Sequence, residues 1–285
     1  MQHLLDLSII IPVKNEEKNL PGCIMAIGSD LAKTIVVIDS GSTDSTREIA
    51  LNLKAQVIDF KWNGKFPKKR NWLLKNHPPK TKWVLFLDAD EYLTEEFKTE
   101  LRAKLNQEDD KVGYWLHYTI FFLGKKLKGG YPLRKLALFK VGAGEYEQID
   151  EKQWSNLDME VHEHPILKGE VGEIKSKIDH HDYRGVSHYI AKHNEYASWE
   201  AARFSQFMNQ SDLRTSWTWK QRLKYKLLKS LLIGPAYFFG SYFILGGFKD
   251  GARGFAFAIL KMSYFTQVYC KIKEIKRAQT ISGQG

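Results

Sequence analysis

The sequence predicts an α/β fold built on a parallel sheet, and three observations lead to this prediction. Short apolar runs that suit buried strands alternate with stretches of helical character through the first half of the chain. Two of these runs end in acidic residues, as strands do where an open sheet binds its ligand. A length of 285 residues, 43% of them hydrophobic, is enough to bury a large core. Strand–helix–strand units of this kind normally close as right-handed crossovers.

The predicted elements follow in chain order. Buried strands are predicted at Asp6–Val13, Lys33–Ile38, Ala55–Phe60 and Trp83–Leu87. Four helices are predicted between and after these strands. The first begins at about Asn19, and the second runs from the capping residues near Asp44 to about Leu53. The third covers Phe66–Asn76, with Pro67 in its first turn, and the fourth covers Thr94–Leu105. Further on we expect strands at Val112–Phe122 and Leu136–Phe139, a glycine-rich loop at Gly124–Gly130, an irregular stretch at Gly142–Val171, and an amphipathic helix at Ser187–Gln206.

A cluster of carboxylates follows the fourth predicted strand, where the sequence reads Asp88-Ala89-Asp90-Glu91. An unpaired charge inside a sheet is very costly, so the cluster belongs at the carboxyl end of the strand. Two carboxylates one residue apart can share a hard divalent cation whose shell a substrate phosphate completes. The alternative is an acidic N-terminus for the helix that begins near Thr94.

The excess of positive over negative charge lies in the C-terminal part of the chain. The net charge is +10, and from Lys220 onward twelve lysines and arginines stand against two acids. The first 219 residues are therefore balanced, which argues against a nucleic-acid partner because such an enzyme would carry basic patches beside its active centre. An anionic membrane surface suits this distribution better. Only two cysteines are present, so no disulfide framework or thiolate metal site is predicted.

The C-terminal part also carries long apolar stretches. Ser230–Phe248 contains nineteen uncharged residues, near the minimum for crossing a bilayer, but five glycines and prolines interrupt it. A second apolar helix is predicted at Gly254–Cys270, and lysines and arginines flank both outer ends. We expect a helical hairpin that lies in the inner leaflet of the cytoplasmic membrane. The alternative is a helix pair packed on the domain or at a dimer interface.

Four motifs in register resemble those of the family 2 glycosyltransferases. They are I-I-I-P-V-K-N at Ile9–Asn15, I-V-V-I-D-S-G-S-T-D-S-T at Ile35–Thr46, Lys69-Arg70-Asn71, and the segment Leu85–Glu91. The resemblance implies a nucleotide-sugar-binding fold of the GT-A type. Gly129–Lys140 followed by Val161-His162-Glu163 is similar to the branch that adds sugars to lipopolysaccharide cores, although Ala137 stands where that branch typically has arginine.

The resemblance assigns the divalent cation to the carboxylate cluster. Asp90 is expected to hold Mg²⁺ or Mn²⁺ against the diphosphate of the donor, and Asp88 to reach the ribose or the metal's hydration shell. His180 is a candidate third ligand. The four histidines at 162, 164, 180 and 181 lack a recognised zinc spacing, and no cysteine is near them.

The donor nucleotide, expected to be UDP, is assigned to residues on the first three motifs. By resemblance Asp39 accepts a hydrogen bond from the base, although a helix-start loop would explain the same segment. Lys69 and Arg70 are candidates for the nucleotide or diphosphate, Arg70 through its planar fork. A solvated helix face is the alternative for both. Glu16 and Pro12 complete the predicted nucleotide-sugar contacts.

The predicted general base is Glu163, because a carboxylate in reach of the acceptor hydroxyl can take its proton as the new bond forms. Family 2 enzymes place this base in a short acidic motif after the central strands, which reads Val161-His162-Glu163 in this chain. Glu160 and Asp158 are rivals, and a surface acidic loop is the alternative for all three. A single carboxylate base with no second nucleophile predicts inversion at the anomeric carbon.

These predictions combine into one hypothesis for the whole chain. Residues 1–215 form the catalytic domain, with a nucleotide-sugar half at about 1–120 and an acceptor half at about 121–215, and residues 216–285 form the membrane-associated tail. The enzyme moves a sugar from a nucleoside diphosphate sugar to a hydroxyl of a lipid-linked saccharide, at the cytoplasmic face of the membrane. The apolar run Leu7–Val13 is too short for a signal peptide, which agrees with a location on the cytoplasmic side of the membrane. A polyprenyl-phosphate glycosyltransferase and a non-catalytic membrane adaptor are the alternatives.

Overall fold

A computed structural model describes residues 3–64, 66–107, 109–147, 165–209, 223 and 225–282. The described residues form two compact units, one from 1–121 and 132–184, the other from 122–131 and 185–285. The predicted domain boundary at residue 215 lies outside the described ranges.

The N-terminal unit is a mixed α/β structure, as predicted. Its strands are β1 (Leu5–Val13), β2 (Ala32–Asp39), β3 (Gln56–Asp59), β4 (Trp83–Phe86), β5 (Glu91–Tyr92), β6 (Lys111–Phe122, whose last residue belongs to the C-terminal unit), β8 (Leu133–Lys140), β9 (Gly144–Tyr146), β10 (Pro165–Leu167) and β11 (Glu170–His180). The two-residue strand β7 (Lys125–Lys126) lies in the segment that belongs to the C-terminal unit. The helices are α1 (Leu20–Ile27), α2 (Thr46–Asn52), α3 (Lys69–Asn76) and α4 (Glu95–Asn106).

The main sheet has the strand order β3-β2-β1-β4-β8-β6-β11-β5. The first four strands in this order are parallel, and β8 runs antiparallel between β4 and β6. The parallel half brings the carboxyl ends of β2, β1 and β4 to one edge, where open α/β sheets bind their ligands. Strands β9 and β10 pair separately.

Both faces of the parallel strands are buried, which explains their continuous apolar sequence. On β1, Ile9 and Ile11 face a core that includes residues of α1 and α4, whereas Ile10 faces a second core against Leu73 of α3. Successive side chains of a strand point to opposite faces, so both positions must be apolar.

Two local predictions need correction. Helix α3 begins at Lys69 and not at Phe66, because Lys68 keeps an extended backbone as the N-cap residue (φ −75°, ψ 178°). The stretch predicted to be irregular at Gly142–Val171 contributes strands β9 and β10 and the start of β11. In β11 only Ile174 and Ile178 are fully buried, and the charged residues around them, Glu173, Lys175 and Lys177, obscure the strand pattern.

The C-terminal unit is helical, with α5 (Val186–Asn209), α6 (Ile233–Phe239) and α7 (Gly251–Ser282). Helix α5 confirms the amphipathic helix predicted at Ser187–Gln206. Its Ala197 and Phe204 pack with Ile233 of α6 and with Tyr264 and Val268 of α7 in a common core.

The apolar stretch Ser230–Phe248 is not one helix. After α6 the chain forms a π-helical turn at Gly240–Ile244 and a 3₁₀ turn at Gly247–Asp250. Gly246 between them adopts a left-handed conformation (φ 76°), which interrupts the helix and which other residues adopt with strain. Among the described residues no helix has the length and apolar character needed to cross a membrane.

Candidate active site

The carboxylate cluster lies at the carboxyl end of β4, as predicted. The amide of Leu87 still donates to Ile10 O of β1 (3.0 Å), and the chain then turns through a hydrogen bond from Glu91 N to Asp88 O (2.9 Å). It returns as β5, which pairs with β11 so that His180 lies opposite Glu91. The turn therefore gathers residues from β4, β5 and the end of β11 at one edge of the sheet.

Asp88 is held between two cations. Its Oδ1 lies 2.8 Å from an Arg70 amino group, and its Oδ2 lies 2.6 Å from Lys135 Nζ. Burial alone would raise the pKa of this carboxyl, but the charges of Lys135 and Arg70 outweigh burial and hold the pKa well below its usual range. Asp88 is thus an anion at neutral pH, with both oxygens engaged by side chains of the protein.

Glu91 is fully buried beneath Asp88. Its Oε2 accepts the Asp88 amide (3.0 Å), and its Oε1 contacts Lys135 Nζ. Burial raises the pKa of Glu91 above its ordinary value, although Lys135 acts in the opposite direction. Glu91 and Lys135 therefore fix the turn that presents Asp88 and Asp90, a function that the sequence analysis did not assign to either.

Asp90 lies beside the histidine that was predicted as a third metal ligand. Its side chain is almost fully buried, with Oδ1 3.4 Å from His180 Nε2 and Oδ2 3.7 Å from Arg184. The pairing of β5 with β11, continued by a hydrogen bond from His181 N to Asp90 O (2.8 Å), produces this arrangement. The structure thus brings Asp90 and His180 together from positions ninety residues apart.

Arg184 ties the end of β11 to the loop before α1. It makes a bidentate pair with Asp182, with both nitrogen–oxygen distances 2.8 Å, and its third nitrogen lies 2.6 Å from Glu16. Asn19 joins the same network, donating to Glu16 (2.9 Å) and to Asp182 (3.2 Å). The predicted nucleotide contact Glu16 is therefore linked to Asp90 through one guanidinium. Sequence reasoning missed Arg184, whose only local signal is the run His180-His181-Asp182-Tyr183-Arg184.

Asp39 ends β2 on the same edge of the sheet. It is 3% exposed, and its Oδ1 accepts hydrogen bonds from the amide (2.9 Å) and hydroxyl (2.6 Å) of Ser42. Strand β1 lies between β2 and β4, so these two strands are two strand spacings apart, about 10 Å. Asp39 lies at the carboxyl end of β2, and Asp88 follows the carboxyl end of β4. One nucleoside diphosphate can span such a distance. Asp44, predicted as a cap, accepts from Thr46 at the start of α2.

The remaining predicted donor contacts occupy different environments. Arg70 reaches the carboxylate cluster, with its guanidinium also 5.3 Å from the ring of Tyr146. Lys69 is buried and donates to Val13 O (3.1 Å), which anchors α3 to β1. Pro12 is buried inside β1, in register with Ile38. The nucleotide-contact roles of Lys69 and Pro12 stay predictions.

The predicted base Glu163 and its rivals Glu160 and Asp158 lie outside the described residues, as do His162 and His164. The second histidine group is described. His181 stacks between Phe121 (4.8 Å between ring centroids) and Tyr183 (3.9 Å). Burial lowers the pKa of His181, so its neutral ring serves packing.

The donor set at Asp90 suits a hard divalent cation of the kind that the resemblance implies. In the described part of the chain no group of three or more His, Cys, Asp or Glu side chains is arranged around a common metal position. Asp90 Oδ1 and His180 Nε2, 3.4 Å apart, are nevertheless spaced close to the roughly 3 Å between neighbouring ligands of an octahedral ion. Mg²⁺ is commonly held by one or two carboxylates together with substrate phosphates, and Asp90 supplies one such carboxylate. The residues present therefore fit a cation that is completed by the substrate.

Comparison with known proteins gives a family match for the part of the chain that carries the carboxylate cluster. Residues 8–134, which carry β1 to β4 and the carboxylate cluster, match the family described as Glycosyl transferase family 2. The lipopolysaccharide core biosynthesis glycosyltransferase LpsC of Rhizobium meliloti is 26% identical over 94% of this chain and 92% of its own length. Residues 8–134 therefore carry a family 2 glycosyltransferase domain.

Two further matches are partial. A TPR repeat-containing protein of Synechococcus elongatus is 33% identical over 106 residues, so this glycosyltransferase covers 26% of that protein. Glucosyl-3-phosphoglycerate synthase of Mycobacterium tuberculosis, in complex with Mn²⁺, UDP and glucosyl-3-phosphoglycerate, is 24% identical over 42% of this chain and 45% of its own, with a TM-score of 0.32.

Proposed function

We propose that this glycosyltransferase moves a sugar from a nucleoside diphosphate sugar, UDP-linked, to a hydroxyl of a lipid-linked saccharide, with inversion and with a divalent cation. The observation that carries the proposal is the grouping at one sheet edge of Asp88, Asp90, Arg70 and His180. Carboxylates for a cation and a guanidinium for phosphate oxygens are the groups that a nucleoside diphosphate requires. The similarity to LpsC over nearly the whole chain supports an acceptor of the lipopolysaccharide-core type.

In this proposal the chain's own residues bind and orient the donor. Asp39, positioned by Ser42, accepts a hydrogen bond from the base, and Arg70 faces the diphosphate while it is still paired with Asp88. Asp90 and His180 would hold the cation. A bound divalent cation would stabilise the negative charge that develops on the leaving diphosphate, a contribution of several kcal/mol in comparable enzymes.

The transfer itself needs one protonatable group. The acceptor oxygen forms its bond to the anomeric carbon as the bond from that carbon to the diphosphate oxygen breaks, and the electron pair leaves with the diphosphate. The hydroxyl proton passes to Glu163, the carboxylate that the sequence motif assigns as base. Attack from the face opposite the leaving group inverts the anomeric configuration.

The C-terminal unit supports a membrane-bound acceptor. Many of the exposed large apolar side chains among the described residues are concentrated in one segment, which we call the apolar patch: Leu231, Leu232, Phe239, Phe243, Ile244, Leu245, Phe248, Phe255 and Ile259. Of two exposed lysines, Lys229 precedes the patch in the chain and Lys249 lies between Phe248 and Phe255. Soluble monomers rarely expose a contiguous apolar surface of this kind. We propose that the patch enters the inner leaflet of the cytoplasmic membrane while the lysines contact anionic headgroups.

A donor screen tests the proposed function. The full chain is heated with each of a set of nucleoside diphosphate sugars, with and without Mn²⁺, and unfolding is followed by fluorescence. A ligand that binds only the native state raises Tm, so one nucleotide sugar should stabilise the protein in a Mn²⁺-dependent manner. Stabilisation by the free nucleotide alone, equal with and without Mn²⁺, would contradict the role given to Asp90 and His180.

A further inference from the structure

A lysine of the C-terminal unit lies in an aromatic cluster without a carboxylate partner. Lys261 occupies the face of α7 that also carries the buried Phe257 and Tyr264. Its ammonium lies 5.4 Å from the ring of Tyr131, 5.4 Å from that of Phe257 and 6.0 Å from that of Tyr189. These rings come from three segments of the same unit: the 122–131 segment, α5 and α7.

The hydrogen bonds of this cluster leave donors unused. His193 Nδ1 lies 2.9 Å from Tyr189 O, and because a carbonyl can only accept, Nδ1 carries the proton. His193 Nε2 is then the acceptor of the neutral ring, and it lies 3.5 Å from Lys261 Nζ. An ammonium has three N–H groups, so one is directed to His193 and two remain for other acceptors.

The hydroxyl of Tyr189 is a second unused donor. Its oxygen is buried and makes no hydrogen bond within the described residues. Buried hydroxyls are normally hydrogen-bonded, and each exception calls for an explanation. Lys261 and Tyr189 therefore present N–H and O–H groups from α7 and α5 in one aromatic cluster.

The charge of Lys261 is also uncompensated. Among the described residues no carboxylate lies within ion-pair distance of its ammonium, and burial lowers the pKa of Lys261 to about 8. The buried carboxylate of α5, Glu200, instead interacts with Tyr264. Aromatic faces attract a cation but accept its hydrogen bonds only weakly. A cation that is partly withdrawn from water without an anion is costly, and an oxyanion would both neutralise it and accept the unused donors.

We infer that Lys261, with the hydroxyl of Tyr189, binds a phosphate group in the aromatic cluster of the C-terminal unit. Lysine is a common point-charge ligand for phosphate. Tyr131 is 40% exposed, so one wall of the cluster is open to solvent. This site goes beyond the proposed function, which requires only the donor site of the N-terminal unit. The phosphate can belong to a soluble phosphate compound or to a phospholipid headgroup.

The test measures phosphate binding by the full chain, with saturating UDP and Mn²⁺ present to occupy the donor site. Inorganic phosphate is titrated calorimetrically into wild type and into Lys261→Met, Lys261→Arg and Tyr189→Phe. Lys273→Met is the matched control, since Lys273 is an exposed lysine of the same helix that contacts a single ring. We expect Lys261→Met to weaken binding at least about tenfold, Tyr189→Phe to weaken it several-fold, and Lys261→Arg and the control to bind like wild type.

A second arm identifies the source of the phosphate. Sedimentation with phosphatidylglycerol vesicles and with phosphatidylcholine vesicles compares the same variants. A loss of phosphatidylglycerol binding in Lys261→Met that exceeds the loss in Lys273→Met assigns the site to a headgroup, and a loss confined to inorganic phosphate assigns it to a soluble compound. Wild-type behaviour of Lys261→Met in both arms overturns the inference. If Lys261→Met does not fold, unchanged phosphate and vesicle binding in Tyr189→Phe overturns it equally. UDP binding, measured separately, reports on the proposed function and not on this site.

Discussion

Lys135 Nζ lies 2.6 Å from Asp88 Oδ2, and the same ammonium contacts the fully buried Glu91. One lysine of β8 therefore pairs with two carboxylates of the turn that follows β4. Two carboxylates so close would repel each other strongly without this cation. Lys135 is thus part of the machinery that presents Asp88 and Asp90, a role that its place in the motif Gly129–Lys140 did not indicate.

Replacement of Lys135 by methionine should make the fold more sensitive to acid. The low pKa of Asp88 stabilises the folded state above the ordinary aspartate pKa of about 3.9, and this contribution is lost as pH falls. Without Lys135 the folded pKa of Asp88 rises, so the midpoint of acid unfolding should move to higher pH. Circular dichroism against pH measures it, with Lys140→Met on the same strand as the control. An unchanged midpoint would contradict the pairing.

Arg184 should matter for donor binding more than for folding. Arg184→Gln removes the guanidinium that joins Glu16, Asp182 and Asp90. We expect a KM for the donor at least about tenfold higher, because the pairs are partly buried and bidentate. Arg184→Lys should recover only part of the loss, since an ammonium cannot reproduce the fork. Equal kinetics for wild type and Arg184→Gln would contradict a role of Arg184 in donor binding.

Glu163→Gln should lower kcat by about 10²–10⁴-fold, the usual contribution of a general base, while donor binding changes little. The amide keeps the shape of the side chain but cannot take the acceptor proton. Single-turnover transfer to a hydroxyl acceptor is the measurement. Glu160→Gln is the matched comparison, and the reverse pattern, in which only Glu160→Gln is slow, would move the base to Glu160.

The apolar patch should control membrane binding. Phe243 and Ile244, with 52% and 82% of their side chains exposed, are neighbours at the end of the π-helical turn. The double substitution Phe243→Ser and Ile244→Asp should reduce flotation with anionic vesicles several-fold, because charge and lost apolar area both oppose insertion. Ile166→Asp alters a side chain that is 65% exposed in the N-terminal unit and serves as the control. Flotation of the double variant at the wild-type level would show that the patch does not bind the membrane, and would indicate a protein-binding surface instead.

The sequence was sufficient for the parallel half of the sheet and for the place of the carboxylate cluster. Apolar runs such as Ile9–Val13 indicate strands that are buried on both faces. Asp88 had to follow β4 and could not lie inside it, because an unpaired charge buried in a sheet is very costly. The rest of the site depends on long-range pairing that no local pattern encodes. His180 reaches Asp90 because β11 pairs with β5, and β11 itself is obscured by its charged residues. Lys135 resembles any charged residue of a strand until β8 is placed between β4 and β6.

The most direct test of the account is Asp90→Asn, assayed with the donor identified by the screen in the presence of Mg²⁺ or Mn²⁺. The amide keeps the size of the carboxylate and removes the charge that would hold the cation beside His180. We expect transfer and metal-dependent donor binding to be lost while Tm and circular dichroism stay close to wild type. Near-normal turnover by folded Asp90→Asn with either metal would contradict the assignment of the site.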